Sequence, residues 1–255
     1  MDLGLAGKKA IVTGGSRGIG MAIIETLLDE GASIATCARG KEALDAKLEQ
    51  WSGDGHTAFG EAVDVNDSDA YEAWLDSAVE SLGGVDIFVS NVTTLSNTKG
   101  IERWEASFDV NLMQHVRATN KLVPHLPKGG DASIVYIASI AANMNTNMPT
   151  ETEYGAMKAA LVSYSAQMAS RLGPDNIRVN SVSPGPIYHD NGFWQMVEQK
   201  QPDLFKRASA LSVFNRLGTA QEVANAVVFL ASPAASNITG TNLRIDGATI
   251  KTVNY

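Results

Sequence analysis

The sequence has little cysteine, few basic residues and no long apolar run. Its one cysteine, Cys37, excludes an internal disulfide and argues against a cluster of thiolate metal ligands, so we predict no metal site. No run of about 18 consecutive apolar residues occurs, so we expect no membrane span. A net charge of −8 argues against nucleic acid or an anionic membrane as partner. No secretory signal is visible, which makes a cytoplasmic protein the expectation.

Apolar runs of strand length alternate with segments of helical periodicity along the whole chain. This alternation is typical of βαβ units and predicts an α/β, doubly wound Rossmann domain with about seven parallel strands. The absence of a linker or a shift in composition predicts a single domain over residues 1–255. The strand candidates are Lys9–Thr13, Ser33–Cys37, Thr57–Val63, Val85–Ser90, Ser133–Ala138, Arg178–Val182 and Leu243–Asp246. The helix candidates are Ile19–Asp29, Lys41–Trp51, Ser68–Ser81, Ile101–Val123, Tyr154–Leu172 and Gln221–Leu230.

The segment 188–215 interrupts this alternation, because its aromatic and polar residues follow only a weak period. Long irregular segments in compact domains are typical of lids and binding loops. The segment follows a strand end, where open α/β sheets bind ligands, so we predict a substrate lid. A surface helix pair with one apolar face is the alternative.

A glycine-rich turn, Thr13–Gly20, follows the first strand candidate and precedes the first helix candidate. Glycines at such a turn let the backbone approach a pyrophosphate, and the helix N-terminus offers it unpaired N–H groups. A structural turn would explain the glycines alone, but their placement between strand and helix favours a dinucleotide site. The residues predicted to bind the cofactor here are Gly14, Ser16, Arg17, Gly18, Ile19 and Gly20.

The end of the second strand candidate indicates which dinucleotide binds. An acid there would hold the ribose 2′-hydroxyl of NAD, but no acid follows Cys37 until Glu42. Arg39 and Arg17 would instead form charge-assisted hydrogen bonds to a 2′-phosphate. Either arginine alone would be interpreted as a solvated charge. Together they predict NADP(H), with NAD as the lesser alternative.

Two further strand ends carry candidate cofactor residues. Asp64 and Val65 close the third strand, where a carboxylate can accept from the adenine amino group. Asn91 follows the fourth strand, beside the expected position of the nicotinamide ribose. Ordinary turn chemistry at a strand end explains these residues equally well.

Tyr154 and Lys158 are four residues apart at the start of a helix candidate, so both project from one face. A nearby ammonium stabilises a phenolate and lowers the pKa of a tyrosine hydroxyl, which allows proton exchange with an alcohol or carbonyl. Such a pair alone is common and carries little weight. Ser139, directly after an apolar strand, could hydrogen-bond the substrate oxygen, although a helix cap is its ordinary role.

Over nearly its full length, the chain resembles the short-chain dehydrogenase/reductase superfamily, in the branch of similar chain length. The motifs of that family occur here in the family's order. The motifs that carry the resemblance are Thr13–Gly20, Asp64, Asn91, Asn111, Ser139, Tyr154-x-x-x-Lys158, Pro184-Gly185, Thr239-Gly240 and Asp246-Gly247.

The resemblance implies roles for individual residues. Tyr154 would be the general acid/base, Lys158 would bind the nicotinamide ribose, and Ser139 would position the carbonyl. Asn111 would hold a water that links Lys158 to a proton relay, whereas the bare sequence suggests a satisfied core amide. The cofactor-binding residues implied after strand six are Pro184, Gly185 and Ile187, the last through its backbone.

The chain departs from the family pattern at three places. Val92 and Thr93 follow Asn91, which puts bulkier groups near the nicotinamide. His189 replaces a threonine, and we interpret it as a lid-surface histidine, with a pocket role left open. The segment Ile140–Glu153 is longer than usual and holds a polar, methionine-flanked loop over the substrate, formed by Asn143, Met144, Asn145, Thr146, Asn147 and Met148.

The resemblance therefore implies a reductase of ketones or aldehydes, reversible as an alcohol dehydrogenase. One alternative is reduction of a 3-oxoacyl thioester, and another is an idle NADP-binding sensor or scaffold. A homo-oligomer, tetramer or dimer, is implied, packed through the Tyr154 helix and the last strand. The tail Ile250–Tyr255 could reach a neighbouring subunit. The small residues that suit such packing are Ala156, Ala159, Ala160 and Ser163.

Overall fold

The computed structural model describes residues 2–144 and 152–252. The strands are β1 (Lys9–Thr13), β2 (Ser33–Ala38), β3 (Ala58–Ala62), β4 (Ile87–Ser90), β5 (Ala132–Ile137), β6 (Ile177–Pro184), β7 (Ile187–Tyr188), β8 (Gly218–Thr219) and β9 (Asn242–Ile245). Within the described residues, seven of them form one parallel sheet in the order β3-β2-β1-β4-β5-β6-β9, while β7 and β8 form a separate pair. The predicted fold class is confirmed.

Helices pack on both faces of this sheet. They are α1 (Gly18–Asp29), α2 (Lys41–Gly53), α3 (Ser68–Leu82), α4 (Gly100–Phe108), α5 (Gln114–Leu122), α6 (Thr152–Leu172), α7 (Phe193–Lys200), α8 (Pro202–Leu211) and α9 (Ala220–Ala231). One apolar core joins the sheet to α3, α5 and α6, and a second joins it to α1 and α9. Strands buried on both faces explain the continuous apolar runs in the sequence.

The order of the strands decides where a ligand can bind. From β1 the chain proceeds outward to β2 and β3, and then returns to the other side of β1 with β4. At this reversal the connections leave β1 and β4 in opposite directions, which opens a crevice at their carboxyl ends. The glycine-rich turn follows β1 and Asn91 follows β4, so both lie at this crevice.

Two predicted segments differ from the structure. The candidate helix Ile101–Val123 is divided, because a π-helical turn at Asp109–Met113 lies between α4 and α5. A single wide turn keeps the helix direction, so sequence periodicity does not resolve it. In the segment 188–215, α7 and α8 replace the expected irregular chain and form the helix pair that was considered as the alternative. The role of this segment as a lid remains a prediction.

Arg178 is a buried charge inside β6 that secures the end of a helix. Its Nη1 donates to the carbonyl oxygen of Leu230 at 2.5 Å, and its Nη2 donates to those of Ala231 at 3.1 Å and Ser232 at 2.9 Å. Asp131 lies 3.6 Å away and balances the charge. Burial lowers the pKa of Arg178, and Asp131 opposes that shift. The guanidinium therefore supplies donors to carbonyls that α9 cannot pair itself.

We expect Arg178→Met to lower the free energy of unfolding by about 3 kcal/mol, because buried carbonyls and Asp131 lose their partner. Urea denaturation of the variant beside Arg171→Met, which removes an exposed arginine on α6, measures this difference. Equal midpoints for the two variants would mean that Arg178 does not secure α9.

Across residues 2–144 and 152–252, no helix combines the length and the apolar character that a membrane crossing requires. The expected cytoplasmic location stays a prediction.

Candidate active site

The backbone of the glycine-rich turn has the shape that a dinucleotide site requires. Gly14 and Gly18 have φ angles of 77° and 58°, in the left-handed region that favours glycine. A Cβ on Gly20 would collide with the carbonyl oxygen of Gly14 and would lie 2.6 Å from Asn91 Nδ2. Glycine at position 20 therefore lets α1 begin this close to the turn.

The first turn of α1 is open to an anion. Arg17, at the N-cap, is extended and makes no side-chain cap, and the first turn of this fully described helix contains no acidic residue. The unpaired N–H groups and the positive end of the helix dipole therefore face the crevice. These features fit the diphosphate of a dinucleotide. Ser16 and Ile19 flank Arg17 and Gly18 in this turn.

Asn91 and Thr13 join the glycine-rich turn to the end of β4, a function that the sequence did not reveal. Asn91 Nδ2 donates to the carbonyl oxygen of Thr13 at 2.9 Å and to that of Gly14 at 3.4 Å. Thr13 Oγ1 in turn accepts from the backbone N–H of Asn91 at 2.9 Å. Thr13, the polar residue just before the first glycine, was the sequence feature that could have indicated this contact.

The two arginines predicted to bind a 2′-phosphate lie at the same edge of the sheet. The carbonyl oxygen of Cys37 accepts from the N–H of Gly14 at 2.8 Å, so Arg39, two residues later, begins close to the turn. Arg39 and Arg17 are both exposed. Their positive charges are therefore accessible to a ligand in the crevice.

Asp64 and Val65 follow β3 at this edge. Asp64 is exposed, and its Oδ1 accepts from the N–H of Asn66 at 3.0 Å, which is the turn chemistry considered as the alternative. Val65 is buried and packs into the core. Contact of either residue with adenine stays a prediction.

The turn that follows Ser139 lies close to the start of α6, which carries Tyr154. Ser139 Oγ accepts from the N–H of Ala141 at 3.1 Å, and so caps the short 3₁₀ turn Ile140–Ala142. A Cβ on Gly155 would lie 2.9 Å from the carbonyl oxygen of Ala141. The glycine after Tyr154 thus lets the start of α6 lie against the turn that carries Ser139.

Lys158 completes this group. Its side chain is fully buried, and its Nζ donates to the carbonyl oxygen of Ile137 at 2.8 Å. The same Nζ lies 5.8 Å from the centre of the Tyr154 ring. Burial lowers the pKa of Lys158 to about 7. A lysine at this position therefore exchanges its proton more readily than a solvated one.

A second buried base lies close to Lys158. His115 is fully buried, and a hydrogen bond of 2.6 Å joins its Nδ1 to Ser90 Oγ. Burial lowers the pKa of His115 well below its usual value, and the positive charge of Lys158 lowers it further. His115 is therefore neutral and adds no positive charge beside Lys158.

Asn111 lies in the π-helical turn and is fully buried. Its Oδ1 accepts from Thr93 Oγ1 at 2.7 Å and from the N–H of Thr94 at 3.0 Å. Its Nδ2 donates to the carbonyl oxygen of Thr94 and to Ser107 Oγ, both at 2.9 Å. The side chain thus fixes the segment after β4, and a water-holding role for Asn111 stays a prediction.

The segment after β6 borders the same crevice. Pro184 ends β6, and Gly185 donates its N–H to the carbonyl oxygen of Ile245 at 2.9 Å. Ile187 pairs with Gly218 in the short β7–β8 sheet. These contacts hold the backbone of residues 184–187 beside β9.

His189, interpreted from the sequence as a lid-surface residue, lies beside the glycine-rich turn, and its role in a lid or a pocket stays a prediction. His189 is half-buried, and a Cβ on Gly18 would lie 3.0 Å from its Nε2, so the ring packs against the glycine-rich turn. The loop expected over the substrate is only partly described. Asn143 and Met144 follow the 3₁₀ turn. The members of that loop outside the described residues are Asn145, Thr146, Asn147 and Met148.

A cavity of about 240 Å³ lies beside the segment after β6, because Pro186 and Gly218 are among the residues that line it. Its lining also includes Phe214, Arg216, Glu222, Arg244 and Asp246. Ser139, Tyr154 and Lys158 are not part of it. The bidentate pair of Arg216 with Glu222 neutralises part of its charge. Among the described residues, no three His, Cys, Asp or Glu side chains are arranged to hold a metal ion.

Comparison with known proteins defines the class of the chain. A family sequence model described as enoyl-(acyl carrier protein) reductase matches residues 14–248. Isoepoxydon dehydrogenase of Penicillium expansum is 35% identical over 250 residues, which cover 97% of this chain and 96% of that protein.

Two solved structures share the fold over almost the whole chain. L-sorbose reductase from Gluconobacter frateurii, complexed with NADPH and L-sorbose, is 32% identical, with a TM-score of 0.90 over 99% of this chain and 100% of that one. A 7α-hydroxysteroid dehydrogenase complexed with NADH and 7-oxo glycochenodeoxycholic acid is 31% identical. Its TM-score is 0.89, over 99% of this chain and 98% of that one.

The fold and these relatives define an oxidoreductase built on a dinucleotide-binding Rossmann domain. The chain belongs to the short-chain dehydrogenase/reductase family. The predicted class of carbonyl or alcohol oxidoreductase is thereby confirmed. One solved relative holds NADPH and the other NADH, so the family alone does not decide between the two cofactors.

Proposed function

We propose that this chain is an NADPH-dependent reductase of ketones or aldehydes, reversible as an alcohol dehydrogenase, with Tyr154, Lys158 and Ser139 as its catalytic residues. The observation that carries the proposal is that Lys158 Nζ lies 5.8 Å from the centre of the Tyr154 ring at the start of α6, which packs against the turn that follows Ser139. A nicotinamide cofactor supplies the hydride for such a reaction. The remaining steps belong to side chains of this chain.

Tyr154 donates its hydroxyl proton to the carbonyl oxygen as the carbonyl carbon is reduced. The ammonium of Lys158, 5.8 Å from the ring centre, stabilises the phenolate that remains. Ser139 donates a hydrogen bond to the same oxygen as negative charge develops there. Because Ser139 accepts from Ala141, it keeps its own hydroxyl hydrogen for this donation. Asn111 keeps the chain after β4 in position.

The preference for NADP follows from charge. Arg39 and Arg17 are exposed cations at the crevice, and no acid follows β2 before Glu42. A 2′-phosphate would form charge-assisted hydrogen bonds with both arginines, whereas a 2′-hydroxyl finds no carboxylate in that stretch. The residues that would border the adenine are Asp64 and Val65, and those that would border the nicotinamide are Asn91, Pro184, Gly185 and Ile187.

We expect Arg39→Asp to lower the ratio of kcat/KM for NADPH over NADH by about 100-fold, because a phosphate contact is replaced by repulsion. Steady-state oxidation of both cofactors with one ketone measures the ratio. Arg171→Asp, an exposed charge reversal at the far end of α6, is the matched control. An unchanged ratio in Arg39→Asp would refute the assignment of Arg39.

The activity itself is tested with a panel of ketones, aldehydes and a 3-oxoacyl thioester, with NADPH and NADH side by side. The proposal predicts oxidation of NADPH with at least one small ketone or aldehyde. Turnover of the thioester alone would favour a 3-oxoacyl thioester reductase. Cofactor binding without turnover of any compound would favour an idle binding protein.

We propose that the segment 188–215 closes over the substrate. Its helices α7 and α8 follow a strand end at the crevice, and Phe193 and Met196 are 45% and 42% exposed. Apolar side chains exposed beside a binding crevice suit contact with a substrate.

We propose that the chain forms a homo-oligomer through exposed helix faces. On α4, Ile101 and Phe108 are exposed, with Trp104 between them on the same face. On α6, Ala156 and Ala159 are exposed small residues that allow close packing. The end of the tail expected to reach a neighbour, residues 253–255, lies outside the described residues. Light scattering of the purified protein tests this proposal, and a single species at the monomer mass would refute it.

A further inference from the structure

The imidazole of His189 lies between two glycines, Gly18 in the glycine-rich turn and Gly192 in its own segment 188–215. A Cβ on Gly18 would lie 3.0 Å from its Nε2 and 3.1 Å from its Cε1. A Cβ on Gly192 would lie 2.6 Å from Cε1 and 2.7 Å from Nε2. The ring therefore fits because both of these positions are glycine. The lid segment places this side chain against the turn that precedes α1.

The hydrogen bond of the other ring nitrogen fixes the tautomer. His189 Nδ1 lies 2.9 Å from the carbonyl oxygen of Asp190, which can only accept. Nδ1 therefore carries a hydrogen and donates it. In the neutral ring, Nε2 then has a lone pair, and it gains a hydrogen only when the ring becomes cationic.

Nε2 is the ring atom nearest the Cβ position of Gly18, at the open first turn of α1 where the diphosphate of a dinucleotide fits. A neutral Nε2 would repel a phosphate oxygen, because both atoms are acceptors. An imidazolium would donate a charge-assisted hydrogen bond. We propose that His189 is a proton-coupled ligand of the cofactor diphosphate, so that binding of the dinucleotide draws a proton from solvent onto Nε2. This inference rests on the proposed dinucleotide function.

Charged residues on the elements around the ring have opposite effects on a positive charge there. On the glycine-rich turn, Arg17 opposes a second positive charge, whereas Asp190, on the ring's own segment, favours it. The helix α7, described over its full length, has no acidic residue in its first turn. Its later charges are Lys200, in the last turn, and Glu198, which accepts from Tyr188 Oη at 2.9 Å. A bound diphosphate would therefore add the decisive negative charge.

The experiment is isothermal titration of the full-length protein with NADPH at pH 6 and pH 8, in two buffers of different ionisation enthalpy. The two buffers give the number of protons taken up, a quantity independent of catalysis. Wild type is compared with His189→Gln, which keeps a donor but cannot titrate, and with His189→Lys, which stays cationic. His125→Gln is the matched control, since His125 is exposed and precedes β5 at the opposite edge of the sheet.

The 2′-phosphate of NADPH also titrates between pH 6 and pH 8. Its contribution is common to wild type and variants, so we compare the difference in proton uptake between them. Between pH 6 and pH 8, we expect the affinity of wild type to fall by about tenfold more than that of His189→Gln. Proton uptake should be lower in His189→Gln and His189→Lys, and unchanged in His125→Gln. A merely structural role would change affinity without changing proton uptake.

Equal proton uptake in wild type and both His189 variants would overturn the proposal. That result, with NADPH still bound and ketones still reduced, would leave the proposed function intact. Absence of NADPH binding in wild type would instead refute the proposed function itself.

Discussion

Tyr154→Phe is expected to lower kcat for ketone reduction by about 1000-fold, because the variant has no hydroxyl proton to give to the carbonyl oxygen. The phenyl ring keeps its place beside Lys158, so the affinity for NADPH should change little. Steady-state kinetics with the best ketone of the panel, together with fluorescence titration of NADPH, separates the two quantities.

Tyr164→Phe is the matched control for this substitution. Tyr164 lies on the same helix and packs against Tyr136 in the core, with 5.7 Å between ring centres. Loss of its hydroxyl should leave kcat within about twofold of wild type, as expected for a residue outside the chemistry. Similar kcat values for the two variants, whether high or low, would contradict the role of Tyr154.

Lys158→Met is expected to remove most activity and yet to stabilise the cofactor-free protein. Loss of the cation beside Tyr154 should lower kcat by at least about 100-fold. Burial lowers the pKa of Lys158 from 10.5 to about 7, so the folded state holds this proton less tightly than the unfolded chain. The buried lysine therefore opposes folding at neutral pH.

The pH dependence of stability follows from these two pKa values. Between pH 7 and 10.5 the unfolded chain binds more protons at Lys158, so the stability of wild type rises with pH through this group. Methionine removes the penalty but also the hydrogen bond to Ile137. At neutral pH, we expect the free energy of unfolding of the variant to exceed that of wild type by about 2–4 kcal/mol.

Urea denaturation at neutral pH and at about pH 9.5 tests this account of Lys158. The advantage of Lys158→Met should shrink as the pH rises towards 10.5, because the penalty in wild type then decreases. Lys121→Met is the control and should show no such trend, since Lys121 is partly exposed and paired with Asp76. A variant less stable than wild type at both pH values would mean that Lys158 supports the fold.

The strands could be predicted because parallel strands buried on both faces form continuous apolar runs. The strand β6 is the informative exception. Its buried Arg178 and Asn180 look like surface residues in the sequence, and their partners lie 52 and 58 positions away. Sequence periodicity indicates which face is buried, but it does not indicate which distant carbonyl will accept from a buried donor.

In the candidate site, too, local patterns could be predicted from the sequence and long-range contacts could not. The glycine-rich turn and the spacing of Tyr154 and Lys158 are local patterns, so the sequence places them correctly at a turn and at a helix start. Their relation to Ser139 depends on the close approach at Gly155, which only the folded chain reveals. The lowered pKa of Lys158 likewise comes from burial, which a single helical face does not predict.

The contact of His189 with the glycine-rich turn is the feature of the site that the sequence indicated least. In the sequence His189 lies far from the glycine-rich turn, and no short motif joins the two. The contact exists because β1 and β6 end at the same edge of the sheet, and because the chain turns back at Gly192, whose N–H donates to the carbonyl oxygen of His189 at 3.1 Å. The backbone geometry of this turn determines where the His189 side chain lies, and residue type alone does not specify that geometry.

Hydride transfer from a nicotinamide to a carbonyl carbon is the reaction on which the proposed function stands, and an isotope experiment follows that hydrogen. NADPH that carries deuterium on C4 of the reduced nicotinamide, in each of its two stereoisomers, is incubated with wild type and the best ketone of the panel. We predict that one stereoisomer delivers a single deuterium to the carbinol carbon of the product, detected by mass spectrometry and NMR. Alcohol formed without deuterium from either stereoisomer, or no alcohol from any carbonyl compound, would contradict hydride transfer by this protein.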